Sequence, residues 1–386
     1  MYSIALKMLI GDRGKYLGII MGLTFASLLI TQQSSIFTGL MTRTYGTITD
    51  LSQPDIWVMD PKVQFIDDVK PLQDTELFRI RSIEGVKWAV PLYKGLLKAR
   101  LADGNYQICN VLGLDDATLI GGPPFMIEGT LSDLRQQDSI IVNDVGARTR
   151  LAKPPKVRGG KPEPLKIGDT LEINDHRAVV VGICRVSRTF QSQPVIFTTY
   201  TRATTFAPRE RKLLSFVLVK ARPDENLQAL CERIRRRTGL AAYTAQAFKD
   251  LTYNYFMKYT GIPINFGIAV ALGFIIGTAI AGQTFYNFTL ENMRYFGTLK
   301  AMGATNYVLL RMILLQALLV GVLGYGLGVG GAAVFGYTLG GTALSFRLTK
   351  DLLIFSGSAI SLICVLSALI SIRKVMRLEP ALVFKG

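Results

Sequence analysis

Glu291-Asn-Met-Arg-Tyr-Phe-Gly-Thr-Leu-Lys-Ala-Met-Gly-Ala304 is a short charged segment caught between two long apolar runs. Tyr259 to Leu290 contains no Asp, Glu, Lys or Arg, and neither does Met312 to Phe346. Each run exceeds the roughly 20 residues that a membrane-spanning helix needs. Between them sit Glu291, Arg294, Lys300 and Arg311, and a basic short loop between spans is held on the cytoplasmic side by the positive-inside bias. The segment is expected to form one compact helix at the inner surface, where the protein meets a partner.

Working outward, Tyr16 to Thr42 and Leu352 to Ile372 are also uncharged, which brings the expected spans to four. A charge at mid-bilayer costs about 2.5–3.5 kcal/mol on the insertion scale. Four such runs in a chain of 386 residues, 49% of them hydrophobic, point to a membrane protein. The net charge of +16 does not signal nucleic acid, because of where it lies. Outside residues 41–260 are 12 of the 44 Lys and Arg but only 4 of the 28 acidic residues. They sit mostly at helix ends, where they fix orientation against an anionic leaflet. The middle region keeps a net +8, an ordinary solvated surface.

Lys7, Arg13 and Lys15 precede the first span, while Arg373, Lys374, Arg377 and Lys385 follow the last, so both termini read as cytoplasmic. The region from about Arg43 to Lys258 is then outside, and long domains translocate largely regardless of charge. A cleaved signal peptide does not fit: the uncharged run of 27 residues is too long and no small-x-small site closes it. Tyr2 to Ile10 reads as a short interfacial helix ended by Gly11-Asp12.

The outer region carries its own pattern. Asp55 to Asp60 reads as a strand, Asp74 to Ile83 as a helix with Leu77, Phe78 and Ile80 inward, and Val86 to Leu92 as a strand. The order returns near its far end: strand Leu213 to Lys220, helix Asn226 to Arg237 with Leu227, Leu230 and Ile234 on one face, strand Leu240 to Thr244. Two separated strand-helix-strand units predict a split α+β module (43–112 and 211–258). Asp103-Gly104 between Leu96–Ala102 and Tyr106–Leu112 predicts a hairpin. Ser139 to Val142, Thr170 to Ile173 and Ala178 to Val186 read as strands of an inserted β-rich module (113–210). Its Lys153 to Pro164 loop is too rich in Pro and Gly for regular structure.

Catalytic patterns are missing. The single histidine, His176, sits between Asp175 and Arg177 at a turn. Cys109, Cys184, Cys231 and Cys364 lack CxxC spacing, and disulfide formation among the first three stays open. The pairs Asp67-Asp68 and Asp115-Asp116 have no base or nucleophile pattern around them. A phosphate-binding loop needs GxxxxGK then Ser or Thr, whereas Gly160-Lys161 is followed by Pro162. ATP hydrolysis by this chain itself is not expected, nor is a bound cofactor or metal.

The spans offer almost no ionisable group apart from Arg311, one turn inside the third span and able to reach the surface. They do offer glycine at close-packing spacing, Gly273 and Gly277 in the second span, Gly324 and Gly328 in the third, with Gly326, Gly330, Gly336 and Gly340 beside them. Such spacing suits helix packing or dimerisation. Tyr253, Tyr255, Phe256 and Tyr259 suit an interfacial belt or a stalk.

Phe296-Gly-Thr-Leu-Lys-Ala-Met-Gly-Ala304 is similar to the cytoplasmic coupling helix of MacB/FtsX-type ABC transporter permeases, and Arg373-Lys-Val-Met-Arg-Leu-Glu-Pro-Ala-Leu382 looks like the tail of those proteins. The order of one span, a large outer domain and three spans matches the same family, the DevC-like exporters being the nearest subgroup. Tyr295 stands where the family usually has an acidic residue, the nearest acid being Glu291.

The resemblance implies a fold of four transmembrane α-helices with a large extracytoplasmic α+β domain, a porter-like module plus an inserted β-rich module, between spans 1 and 2. Its parts are an N-terminal interfacial helix (1–15), spans at 16–42, 259–290, 307–340 and 352–372, the outer domain (43–258), a coupling helix (291–306) and a cytoplasmic tail (373–386).

It implies an ATPase subunit bearing ATP and Mg, a second permease copy, a periplasmic adaptor of membrane-fusion type with an outer-membrane duct, membrane lipids around the spans, and no nucleic acid. Glu291, Arg294, Phe296, Gly297, Lys300, Gly303 and Ala304 would be the ATPase-coupling residues. A bulky residue at Gly297 is expected to leave assembly intact and abolish ATPase stimulation. The expected role is an inner-membrane export permease for a lipid-like, peptide or drug cargo, with both termini cytoplasmic. The rivals are an FtsX-like signalling subunit that activates a cell-wall hydrolase, a lipoprotein-extraction permease, and an enzyme of the outer face.

Overall fold

The computed structural model describes residues 2–11, 13–155, 160–208, 214–338 and 344–376. Arg377, Lys385 and the rest of the closing tail lie outside the described residues, as do Gly340, Leu213 and part of the 153–164 loop. The chain divides into one unit of residues 1–40 with 261–386 and a second of residues 41–260.

In chain order, α1 (Tyr2–Gly11), α2 (Arg13–Thr44) and α3 (Gly46–Asp50) lead to β1 (Ile56–Met59), α4 (Thr75–Arg81) and the long β2 (Val86–Arg100). Next come β3 (Tyr106–Leu114), β4 (Phe125–Glu128), β5 (Ser139–Asn143), α5 (Asp144–Arg148), β6 (Thr170–Ile173) and β7 (His176–Arg185). Then follow β8 (Val195–Thr199), α6 (Tyr200–Phe206), β9 (Phe216–Ala221), α7 (Leu227–Thr238), β10 (Ala241–Thr244) and α8 (Ala245–Tyr259). The chain continues with α9 (Ile262–Glu291), α10 (Met293–Ala301), α11 (Asn306–Thr338) and α12 (Lys350–Met376).

Among the described residues four helices are long and apolar enough to cross a membrane: Tyr16–Thr44, Ile262–Glu291, Asn306–Thr338 and Lys350–Arg373. Helix is the form that lets such a stretch satisfy its backbone hydrogen bonds internally in lipid. Pro263 sits in the first turn of α9, where a missing N–H costs nothing. The bundle core joins Ile19, Leu23 and Ile30 of α2, Phe285 and Phe288 of α9, Met312 and Val320 of α11, and Ile363 and Ala368 of α12. Leu9 belongs to the same core, so α1 is packed into the bundle.

Small residues set the spacing of these helices. A Cβ added at Gly277 would stand 2.5 Å from the Ala26 Cβ, and one at Gly324 would stand 2.7 Å from the Leu23 Cβ. Gly273 lies against Ile30 and Leu29, and Gly328 against Ser27. All four glycines thus face α2 of their own chain. Gly326 and Gly330 have nothing within 4 Å.

The second unit has β10-β1-β9-β2 as one run of antiparallel strands, with α4 and α7 bridging β1 to β2 and β9 to β10. This is the split β-α-β arrangement. Ile56, Val58, Val217 and Val219 face Ile80, Leu230 and Ile234 of the helices. The alternate residues Trp57, Met59, Phe216 and Leu218 face the other way onto Phe248 of α8. Both faces are covered, so these strands read as continuous apolar runs. Phe78 of α4 is 64% exposed rather than inward, because on so short a helix Ile80 and the half-buried Leu77 already define the stripe that meets the sheet.

β2 does not end where this first module does. Val86 to Leu92 pairs with β9, and Tyr93 to Arg100 pairs with β3, so the changeover to the second set of strands lies inside β2 rather than at residue 113. That second set runs β2-β3-β8-β5-β7-β4 with β6 beside it, and its β3–β8 and β5–β7 pairs are parallel. The Asp103-Gly104 hairpin closes with Leu101 N–H donating to Asn105 O at 2.8 Å and Gly104 at φ +85°. Tyr255 of α8 stacks on Phe65 at 4.4 Å and Phe256 lies 4.9 Å from Phe190, so these two aromatics pack within the α+β unit, while Tyr259 is exposed.

Candidate coupling surface

α9 stops at Glu291, and Asn292 closes it by donating its side-chain amide to the Phe288 carbonyl at 2.8 Å. Met293 to Ala301 then forms a separate short helix. Its far end has a specific closure: Ala304 N–H donates to Leu299 O at 3.0 Å and Gly303 N–H to Lys300 O at 3.1 Å. With Gly303 at φ +96°, this is the paired hydrogen-bond pattern of a left-handed helix stop, accompanied by an apolar contact across it. Here that contact is made by Leu299 and Ala304, both in the bundle core.

The residues expected to couple divide into two groups. Phe296, Gly297 and Ala304 are buried and anchor α10 to the bundle, while Arg294 and Gly303 are exposed and Lys300 is half-buried. Glu291 is exposed at the end of α9. Gly303 is the turn-maker, and Gly297 is an inward position, so a bulky residue there disturbs the seat of α10 as well as any contact beyond it. The sequence marked Tyr295 only as a departure from the family's acidic residue and did not mark Met302; on the free face Tyr295 is 62% exposed and Met302 72%. They stand seven residues apart, two turns along the helical path, with Thr298 between them. Exposed apolar side chains on one face of a surface helix are available for a contact. The signal was their spacing, which gains meaning once Phe296 and Leu299 fix which side is inward.

Other candidates resolve differently. His176 begins β7 just after the Asn174-Asp175 turn, is exposed, and lies 6.1 Å from the Phe206 ring. All four cysteines are free and buried. Cys109, Cys184 and Cys231 occupy different core clusters, and burial pushes the first two thiols up to about 12 and the third up to about 11.

A multi-pass bundle interrupted after its first span by an α+β domain, with a surface helix joining its second and third spans, defines a class of membrane permease. Residues 16–237 match the MacB-like periplasmic core domain and residues 252–380 match the FtsX-like permease C-terminal domain. An uncharacterized ABC transporter permease of Methanocaldococcus jannaschii is 25% identical over 238 residues, which span 58% of this chain and 58% of the relative's length. The periplasmic region of MacB from Actinobacillus actinomycetemcomitans aligns at 13% identity and a TM-score of 0.37, covering 54% of this chain and 96% of that structure. The extracellular domain of the transporter YknZ from Gram-positive bacteria aligns at 11% identity and a TM-score of 0.34, covering 50% and 98%. The chain belongs to the MacB/FtsX-type family of ABC transporter permeases.

Proposed function

We propose that this chain is the membrane subunit through which a separate ATPase moves a domain on the opposite side of the bilayer. In this account α10 and both termini are cytoplasmic and the α+β domain is extracytoplasmic. The observation that carries the account is the build of α10: a short helix with a buried anchor (Phe296, Leu299), a fixed stop (Gly303) and an exposed face holding Tyr295, Met302 and Arg294. A rigid element with apolar groups facing water is suited to receive a push. ATP and Mg belong to the partner, the permease works as two copies, and the charge-poor spans act as levers rather than as a polar path. An adaptor and outer duct would take over a lipid-like, peptide or drug cargo.

The test uses the permease purified with its ATPase in lipid nanodiscs. Tyr295→Asp combined with Met302→Ser should leave yield and thermal stability unchanged, since both side chains are exposed, and should lower permease-stimulated ATP hydrolysis at least tenfold. Unchanged stimulation would remove α10 from this role.

A further inference from the structure

The structure assigns a second binding feature to the bundle, on the face between α11 and α12. A groove of about 410 Å³ is floored by Ala317 and Cys364 and walled by Leu314, Leu318 and Val365, with Arg311 at its mouth. The floor is low because the helices approach closely there: a Cβ at Gly321 would come within 2.6 Å of the Cys364 sulfur. Ser361 adds no free polar group, since its hydroxyl donates to the Gly357 carbonyl at 2.8 Å. Arg311 is exposed and sits 4.5 Å from the Tyr307 ring centroid, one turn back along α11. Among the described residues no carboxylate pairs with it.

We infer that this groove holds one anionic glycerophospholipid, its phosphate on Arg311 and an acyl chain along the Leu314–Leu318 wall. Two features select that occupant. Beyond Arg311 the α11 side of the groove is lined by Leu314, Leu315, Ala317 and Leu318, and the seven steps from Arg311 to Leu318 rise roughly 10 Å at 1.5 Å per residue, a depth that suits a hydrocarbon chain. Arg311 is the one cation among the described residues that line the groove, and no acidic residue lies between Glu291 and Asp351 in the chain, so an anionic head group complements it. A guanidinium matches a phosphate in geometry as well as sign, and basic pockets between spans are a recurrent seat for anionic head groups. Such a lipid would brace α11 against α12 close to the helix stop at Gly303. This inference adds to the coupling role of α10 without depending on it, because its readout is lipid retention rather than ATP hydrolysis.

The experiment is native mass spectrometry of the full chain released from detergent and titrated separately with phosphatidylglycerol, phosphatidylcholine and inorganic phosphate. Phosphatidylglycerol should bind about tenfold more tightly than phosphatidylcholine. Arg311→Gln should erase that preference, Arg311→Lys should keep most of it, and Val365→Trp, which fills the groove at an exposed position, should weaken both lipids. Equal binding of the two lipids by the native chain would overturn the assignment, as would a preference that survives Arg311→Gln. Inorganic phosphate binding as tightly as the lipid would make it a free-anion site instead. Retention of lipid only in dimers, lost with them, would give the groove to a second copy.

Discussion

The two units of this chain are held together in opposite ways. The α+β domain is filled by large side chains: Trp57, Phe216 and Phe248 meet with ring centroids 5.6 to 5.9 Å apart between sheet and helix. The membrane bundle is filled by small ones, with Gly277, Gly324 and Gly328 set against α2. The difference follows from solvent. In water, burying apolar area is itself the drive, so big rings dominate. In lipid the surroundings are as apolar as the interior, and helices gain from approaching closely enough to make dense van der Waals contact. Removing volume should therefore hurt the domain, and adding volume should hurt the bundle.

The largest effect is expected from Trp57→Ala, which empties a fully buried site and should cost the α+β domain about 3–5 kcal/mol. Near-ultraviolet circular dichroism or limited proteolysis of the full chain would register it. Next, Gly324→Leu should destabilise the bundle by about 1–3 kcal/mol through overpacking against Leu23, seen as a lower temperature of aggregation in detergent. Gly326→Leu, where nothing stands within 4 Å, should change little; equal effects at 324 and 326 would break the comparison. The smallest effect is Gly303→Ala, about 1 kcal/mol from placing a Cβ on a left-handed backbone. It should be confined to the neighbourhood of α10 in hydrogen exchange, and Gly303→Asn should recover part of it.

Much of this architecture was legible in the residues. The spans announced themselves as uncharged runs, and the split module as short continuous apolar strands alternating with helices that carry one apolar face. The second set of strands was harder to read. Val195 to Thr199 is a five-residue strand whose partners β3 and β5 lie far away in sequence, so no local alternation marks it. Phe125 to Glu128 is short and not buried at any position, which leaves no inward face to detect. The long β2 serves two sets of strands without a break, and nothing in its sequence marks Tyr93 as the changeover. At α10 the basic residues drew attention because charge is visible in a sequence, whereas Tyr295 and Met302 gain their meaning from the side that Phe296 and Leu299 bury.

That force crosses the bilayer from α10 to the α+β domain requires the two to lie on opposite sides of it. The most direct test places single cysteines at Lys98 and at Thr298, both exposed, and treats intact cells with a membrane-impermeant maleimide; the four native thiols, all buried, give a silent background. Residue 98 should label in intact cells and residue 298 only after permeabilisation. Labelling in the reverse order, or of both in intact cells, would contradict the account.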